Sequence, residues 1–201
     1  MVDLAELLSR RALDVAPQLL GVVFAHRSPE GVVAVRITEV EAYSGDGSDP
    51  AAHTHRGPTP RNKVMFGPPG TLYVYFSYGM HWCANVVCSP HGSGEAVLLR
   101  AGEVVDGIEV ARRRRPAARR DVDLARGPAR LTRALAITGA DNGRNLLDPR
   151  CTMHLSPRAP VLEKSQVRTG PRVGISKAVD LPWRFWLDVE PTVSESRKPR
   201  V

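Results

Sequence analysis

The stretch from Val32 to Tyr43 contains neither glycine nor proline and is dense in β-branched residues. Such a run suits a pleated, half-buried surface, so it predicts one long strand over residues 32–43. A lone strand leaves a row of unpaired backbone groups, so it needs neighbours. Residues 21–26 (Gly-Val-Val-Phe-Ala-His) predict the first of them. Ser28-Pro29-Glu30-Gly31 carries the turn signal that pairs the two as a hairpin. Alternation along the long strand puts Ile37, Glu39, Glu41 and Tyr43 on one face. Val40 and Ala42 point the other way, into apolar surroundings.

Further strands are predicted over residues 71–77 and 82–88, with Tyr78-Gly79-Met80 as the turn between them, and another from 94 to 105. Residues 151–155 and 183–189 read as late strands. Leu4, Leu7, Leu8, Leu13 and Leu19 share one face of a helix predicted over residues 3–20, with Pro17 and Gly21 marking its end. Residues 106–138 read as helical in two pieces, broken near Gly127-Pro128. Residues 44–70 are rich in Gly, Pro, Asp, Ser and Asn, and a loop of that length is usually functional or disordered. No linker divides the chain, so one domain is expected over residues 1–193 and a polar tail over 194–201.

Composition narrows the function. The chain has 201 residues, enough for a full core without metal or disulfide staples. No apolar run is long enough to cross a bilayer, and Asp3 and Glu6 stand where a secretory leader would be basic. Cys83, Cys88 and Cys151 have no disulfide or zinc spacing and read as small buried hydrophobes in a reducing cytoplasm. The net charge is +7. The segment from Arg112 to Arg133 carries nine Arg and two Asp, so its excess equals that of the whole chain. A basic surface suits a polyanion, though arginine outnumbering lysine in an Ala-, Val- and Gly-rich chain also reads as codon bias.

Three constellations have chemical potential. Glu39 and Glu41 on one strand face, beside a Gly/Asp-rich loop, could serve the hydrolysis of a glycosidic bond, where a carboxylate acts as general base or nucleophile. The same pair also fits an ordinary half-exposed strand. Tyr73 and Tyr75 share a face, and Tyr78 falls at a turn. Such tyrosines stack on bases or wedge into them, or else form a cross-strand ladder. His53 and His55 lack metal-ligand spacing and suit hydrogen bonding. Arg56, Arg61 and Lys63 are placed either to touch phosphates or to face solvent.

Taken in order, these signals are specific. Thr38-Glu39-Val40-Glu41-Ala42-Tyr43, Ala51-Ala52-His53, Thr59-Pro60-Arg61-Asn62, Met65-Phe66, Pro69-Gly70-Thr71-Leu72-Tyr73-Val74-Tyr75, Tyr78-Gly79-Met80, Asn85 and Val97-Leu98-Leu99-Arg100-Ala101 follow one another. Gly127-Pro128-Ala129-Arg130-Leu131, Pro171-Arg172-Val173-Gly174-Ile175 and Trp183-Arg184-Phe185 come after. The series resembles the methylpurine-DNA glycosylase family over nearly the whole chain. The interval from Tyr43 to His53 is one residue longer than the family pattern, and that from His53 to Thr59 one shorter. His53 is therefore the best match for the pocket histidine, with His55 the substitute.

The resemblance implies an α+β domain, a curved antiparallel sheet with surrounding helices and a protruding β-hairpin. It implies a monomeric, cytoplasmic enzyme without cofactor, metal or obligatory protein partner. Its substrate would be damaged double-stranded DNA, from which it excises alkylated or deaminated purines and leaves an abasic site. Glu41 matches the general base and Arg100 a residue beside the attacking water and the DNA backbone. Tyr43, His53 and Tyr75 match the walls around the flipped base, and Asn85 the residue that disfavours guanine. Tyr78 matches the wedge at the hairpin tip, flanked by Gly79 and Met80 at the DNA, with Arg61 as a further DNA contact. The four lysines, Lys63, Lys164, Lys177 and Lys198, lie outside the Glu41 and Tyr75 motifs, which argues against a Schiff-base lyase. The alternatives are a damaged-DNA or RNA binder on the same fold with little activity, or a basic DNA-packing protein. The carboxylate at 41 argues against the first, the long core and sparse lysine against the second.

Overall fold

A computed structural model describes residues 3–77, 79–157 and 164–194. Tyr78 and most of the tail expected over 194–201 lie outside these residues. Twelve elements organise the described chain: α1 (Leu4–Leu8), α2 (Ala12–Leu19), β1 (Val23–Ser28), β2 (Gly31–Tyr43), β3 (Leu72–Ser77), β4 (His81–Cys88), β5 (Glu95–Asp106), α3 (Ile108–Arg114), α4 (Pro128–Ala134), β6 (Met153–Ser156), β7 (Val167–Gly170) and β8 (Arg184–Leu187). Short 3-10 turns fill some connections, among them Lys63–Phe66 and Asp121–Asp123.

The strands form one antiparallel sheet in the order β3-β4-β5-β2-β1-β6, and β2 also pairs with β8, which carries β7 on its far side. The predicted hairpin of β1 and β2 is present, paired from Val23–Arg36 to Ser28–Gly31. β5 takes one edge of β2 along most of its length. On the other edge β1 ends and β8 takes over at Glu39. β2 is thus central at both ends, which is why its run of apolar residues is so long.

The sequence reading of β2 needs one correction. Ile37 does not share a face with Glu39 and Glu41; it is packed in the apolar core with Val40 and Ala42. The pairing explains why. Ile37 faces Gly102 and Glu39 faces Ala101, so Thr38 is an extra residue on β2. Glu39 faces Ala101 and Val40 faces Leu99, so Arg100 is an extra residue on β5. Two opposed bulges restore the register while reversing the parity of everything beyond Thr38. The core side chains before and after Thr38 then lie on one face, and the carboxylates on the other.

That core joins Val33, Val35, Val40, Val86, Val97 and Leu99 of the sheet to Leu8, Val15, Leu19 and Leu131 of the helices. The helix expected over 3–20 is two helices. Its break at Arg10 is held from the sheet side: the Ser89 amide donates to the Leu8 and Arg10 carbonyls, and the Ala12 amide donates to Glu95 Oε2 at 2.7 Å. These bonds satisfy backbone groups that the break leaves without an intrahelical partner. The first helical piece after residue 106 stops at Arg114, because Pro116 disfavours helical backbone at the residue before it. β7 has too little apolar patterning for the sequence to mark it. At the β3–β4 turn Ser77 pairs with His81, and Gly79 takes a φ of +64° that closes the loop.

Candidate active site

In an antiparallel sheet, directly opposed residues point to the same face. Pairing of Tyr73 with Asn85, Asn85 with Leu98, Leu98 with Glu41, and Glu41 with Arg184 therefore makes one row across five strands. It lies on the face away from the helices. The 44–70 loop and residues 173–177 enclose this face in a cleft of about 640 Å3. Its lining includes Tyr43, His53, Arg61, Tyr73, Tyr75, Cys83, Asn85, Leu98, Arg100 and Val173.

Glu41 lies directly behind this lining and is fully buried. Its Oε2 accepts a bond from Tyr43 Oη at 2.9 Å. Its Oε1 accepts one from the Val173 amide at 2.7 Å, and Arg100 Nη1 stands 3.2 Å away. A carboxylate offers roughly four acceptor sites. Among the described residues, Oε1 is used twice and Oε2 once, so the remaining site is on Oε2, beside Tyr43. Burial, followed by the charge of Glu41 and the bond to it, pushes the Tyr43 phenol well above its ordinary range, so it stays a donor.

Arg100, re-aimed by its bulge, is held by a second carboxylate. Its Nε donates to Glu39 Oε1 at 2.8 Å, and Arg184 Nε donates to the same oxygen at 2.6 Å. The Ser194 amide donates to Glu39 Oε2 at 2.6 Å. Two buried guanidinium groups and two buried carboxylates neutralise one another. Burial pushes the Glu39 carboxyl up, but Arg100 and Arg184 outweigh it and hold it below its ordinary 4.5. Burial likewise works against the charge on Arg100, and Glu41 and Glu39 overcome it.

A depressed carboxyl in the folded state contributes stability above its unfolded pKa and loses it as pH falls through the folded value. The wild-type melting temperature should therefore drop below about pH 4.5. Thermal unfolding from pH 7 to 3 checks this. A Glu39→Gln variant should melt lower at pH 7 and show a flatter acid decline; an identical decline would remove Glu39 as its source.

The cleft walls are aromatic. The Tyr73 and Tyr75 rings stack with centroids 5.5 Å apart, and His53 meets Tyr75 edge-on at 4.6 Å. His53 Nδ1 is 3.1 Å from Tyr73 Oη. Burial, then the charge of Arg61, lowers the His53 pKa and favours neutral imidazole. The Arg61 guanidinium sits 6.0 Å over the Tyr75 ring at the rim. Asn85 Nδ2 donates to the Tyr73 carbonyl at 3.2 Å, leaving amide functions for a ligand edge.

The structure thus brings together Glu41, Arg100, Tyr43, His53, Tyr75, Asn85 and Arg61. His55 is exposed and outside the lining. Gly79 and Met80 stand at the hairpin tip, apart from the cleft, with Met80 66% exposed. Tyr78 lies outside the described residues. Lys177 is on the rim, which the lysine reading did not foresee. It is exposed, whereas a Schiff-base lysine is activated by desolvation or a neighbouring cation. No group of three or more His, Cys, Asp or Glu among the described residues is arranged to hold a metal.

Sequence reasoning gave no role to the buried pair beneath Tyr43. Arg172 donates to both oxygens of Asp49, at 2.6 and 2.7 Å, and to the Ala42 carbonyl at 3.0 Å. Its guanidinium lies 4.5 Å from the Tyr43 ring and 5.0 Å from the Trp183 ring. Asp49 also accepts from the Ala51 amide, at the start of the segment leading to His53. Arg172 and Trp183 stood in the motifs that carried the resemblance, but Asp49 gave no signal.

The site is therefore a tyrosine- and histidine-walled cleft over a buried carboxylate and arginine, on a curled antiparallel sheet. The profile of the family described as methylpurine-DNA glycosylase (MPG) matches residues 6–191. The chain belongs to this family, and its activity class is that of a DNA N-glycosylase, a hydrolase of base-excision repair. Relatives carrying the name "Putative 3-methyladenine DNA glycosylase" include one from Frankia casuarinae, 53% identical over 98% of this chain and 94% of its own. Another, from Leifsonia xyli subsp. xyli, is 54% identical over 93% and 89%. A third, from Streptomyces avermitilis, is 52% identical over 96% and 90%.

Proposed function

We propose that the cleft receives a single damaged purine turned out of duplex DNA, and that Glu41 activates the water that cleaves its glycosidic bond. The observation that carries this is the acceptor site left on Glu41 Oε2, next to Tyr43 at the inner wall. A base inside a duplex is inaccessible, so its enzyme must extrude it, and damaged bases come out at least cost. Tyr43, Tyr75 and His53 offer aromatic faces to the extruded ring, and a cationic alkylated purine gains further from such faces. Glu41 would take the proton as water attacks C1′, and its charge would stabilise the oxocarbenium character that builds there. Arg100, with Nη1 3.2 Å from Glu41 Oε1, would fix the position of that carboxylate and touch the sugar–phosphate.

In this reading the substrates are 3-methyladenine-type alkylated purines and deaminated purines, and the product is an abasic site. Asn85 selects against the exocyclic amine of guanine. Tyr78, Gly79 and Met80 enter the minor groove, and Arg61 meets a phosphate. The enzyme acts as a monomer in the cytoplasm, one chain supplying every group the chemistry needs.

The test is single-turnover excision on alkylated DNA and on duplexes carrying one hypoxanthine or one ethenoadenine. Strand breakage that requires alkali is expected on at least one lesion. No release from any of them would overturn the substrate reading. Breakage without alkali would mean a lyase, with Lys177 the group to examine.

A further inference from the structure

Five of the six arginines from 112 to 120 divide into two sets. Arg112 is bound to both oxygens of Asp121, at 2.9 and 2.8 Å. Arg114 Nε donates to Glu30 at 2.6 Å and its Nη1 to the Ala134 carbonyl at 2.8 Å, tying α3 to the β1–β2 turn and α4. These two are struts. The set formed by Arg115, Arg119 and Arg120 faces elsewhere. With Arg126 and Arg130 it lines a second cavity, of about 800 Å3.

This second cavity adjoins the first, and Arg100 and Pro128 line both. Among the described residues, the one carboxylate in its lining is Asp123. That group is engaged by Arg120 at 2.9 Å and faces Arg126 at 3.6 Å. Arg100 is neutralised by Glu39 and Glu41. Arg115 donates to the Leu124 carbonyl at 3.1 Å and feels the charge of Asp123, whereas among the described residues Arg119 and Arg130 carry charge without an ion pair. Burial, then the repulsion of Arg130 and Arg133, lowers the pKa of Arg115, so these cations crowd one another at a cost. Like charges gathered in a concave surface focus a field that an anion relieves. Planar guanidinium groups bind phosphate oxygens in pairs.

We propose that this groove is a phosphodiester track, binding the DNA strand on one side of the extruded nucleotide, with Arg119 and Arg130 as phosphate ligands. The proposal rests on the glycosylase reading of the neighbouring cleft, since Arg100 and Pro128 mark where the strand would pass from one to the other. Phosphate contacts position without reading sequence, so the track adds affinity to damaged and undamaged duplexes alike.

The experiment compares wild type with Arg119→Ala/Arg130→Ala, and with Arg112→Ala as a control for general loss of positive charge. Binding to a lesion duplex is measured across a salt series. Each phosphate contact contributes roughly 0.9 to the slope of log affinity against log salt on B-DNA. The double variant should lose a little under about 2 from that slope and bind at least about ten-fold more weakly at low salt. Arg112→Ala should keep the wild-type slope. Because the groove lies to one side of the cleft, trimming the duplex on one side of the lesion should erase the difference between wild type and double variant, and trimming the other should not. An unchanged slope, an equal loss in Arg112→Ala, or equal sensitivity to both trims would overturn the track. Failure of wild type to excise, with the slope difference intact, would count against the glycosylase reading and leave the track standing.

Discussion

A Glu41→Gln enzyme should bind lesion duplexes as wild type does and excise their bases at least about a hundred-fold more slowly in single turnover, the lower end of what a positioned acid–base group contributes. The substitution is close to isosteric. The amide oxygen can still accept from the Val173 amide, and the amide nitrogen can donate to the Tyr43 oxygen, so both hydrogen-bonded neighbours of Glu41 are kept in place. What disappears is the charge. Without it there is no base for the water proton and no anion beneath the developing positive sugar. Arg100 keeps Glu39 as its counter-charge, so a fold-wide collapse is not expected. Melting temperature and DNA affinity measured beside the rate separate a chemical defect from a structural one. An excision rate within about ten-fold of wild type would remove Glu41 as the base.

The largest effect on stability is expected at Asp49. Its removal leaves the Arg172 guanidinium, fully buried, with the Ala42 carbonyl and two aromatic faces but no anion. Breaking a buried pair from one side typically costs about 3–5 kcal/mol, because the surviving charge is stranded out of water. Asp49→Ala should lose stability in this range by denaturant unfolding. Replacing both partners tests the cause. Asp49→Leu with Arg172→Met should recover much of the loss, since an apolar filling removes the stranded charge. Its excision rate should not recover, because the Tyr43 ring would lose the guanidinium packed behind it. A loss below about 1 kcal/mol in Asp49→Ala would show that the pair acts as an exposed one does.

What the sequence disclosed, and what it withheld, divides by distance along the chain. The long strand, its hairpin partner and the Tyr73–Tyr75 face were legible, because they depend on alternation among neighbours. Ile37 was assigned to the wrong face because the Thr38 and Arg100 bulges exist only in the pairing of two strands. The helix over 3–20 was split by bonds from Ser89 and Glu95, and no local pattern announces those. Most of the site residues were reachable through the resemblance rather than through any periodicity. Glu39 read as the twin of Glu41, yet its partners Arg100, Arg184 and Ser194 make it the anchor of an arginine. Asp49 looked like any polar loop residue.

The bonds that assemble the carboxylates span long stretches of chain. Glu41 waits for Val173, 132 residues later, Asp49 for Arg172, 123 later, and Glu39 for the Ser194 amide, 155 later. On a ribosome, a growing chain that has reached Arg100 already contains most of the residues that line the cleft. It contains neither the Val173 amide bonded to Glu41 nor Arg184 and Ser194, two of the three partners of Glu39. Closing loops of that size carries an entropic toll that nearby contacts do not. A half-made chain therefore presents an acidic, aromatic surface that does not yet hold the geometry for hydrolysis, and catalytic competence arrives late in synthesis.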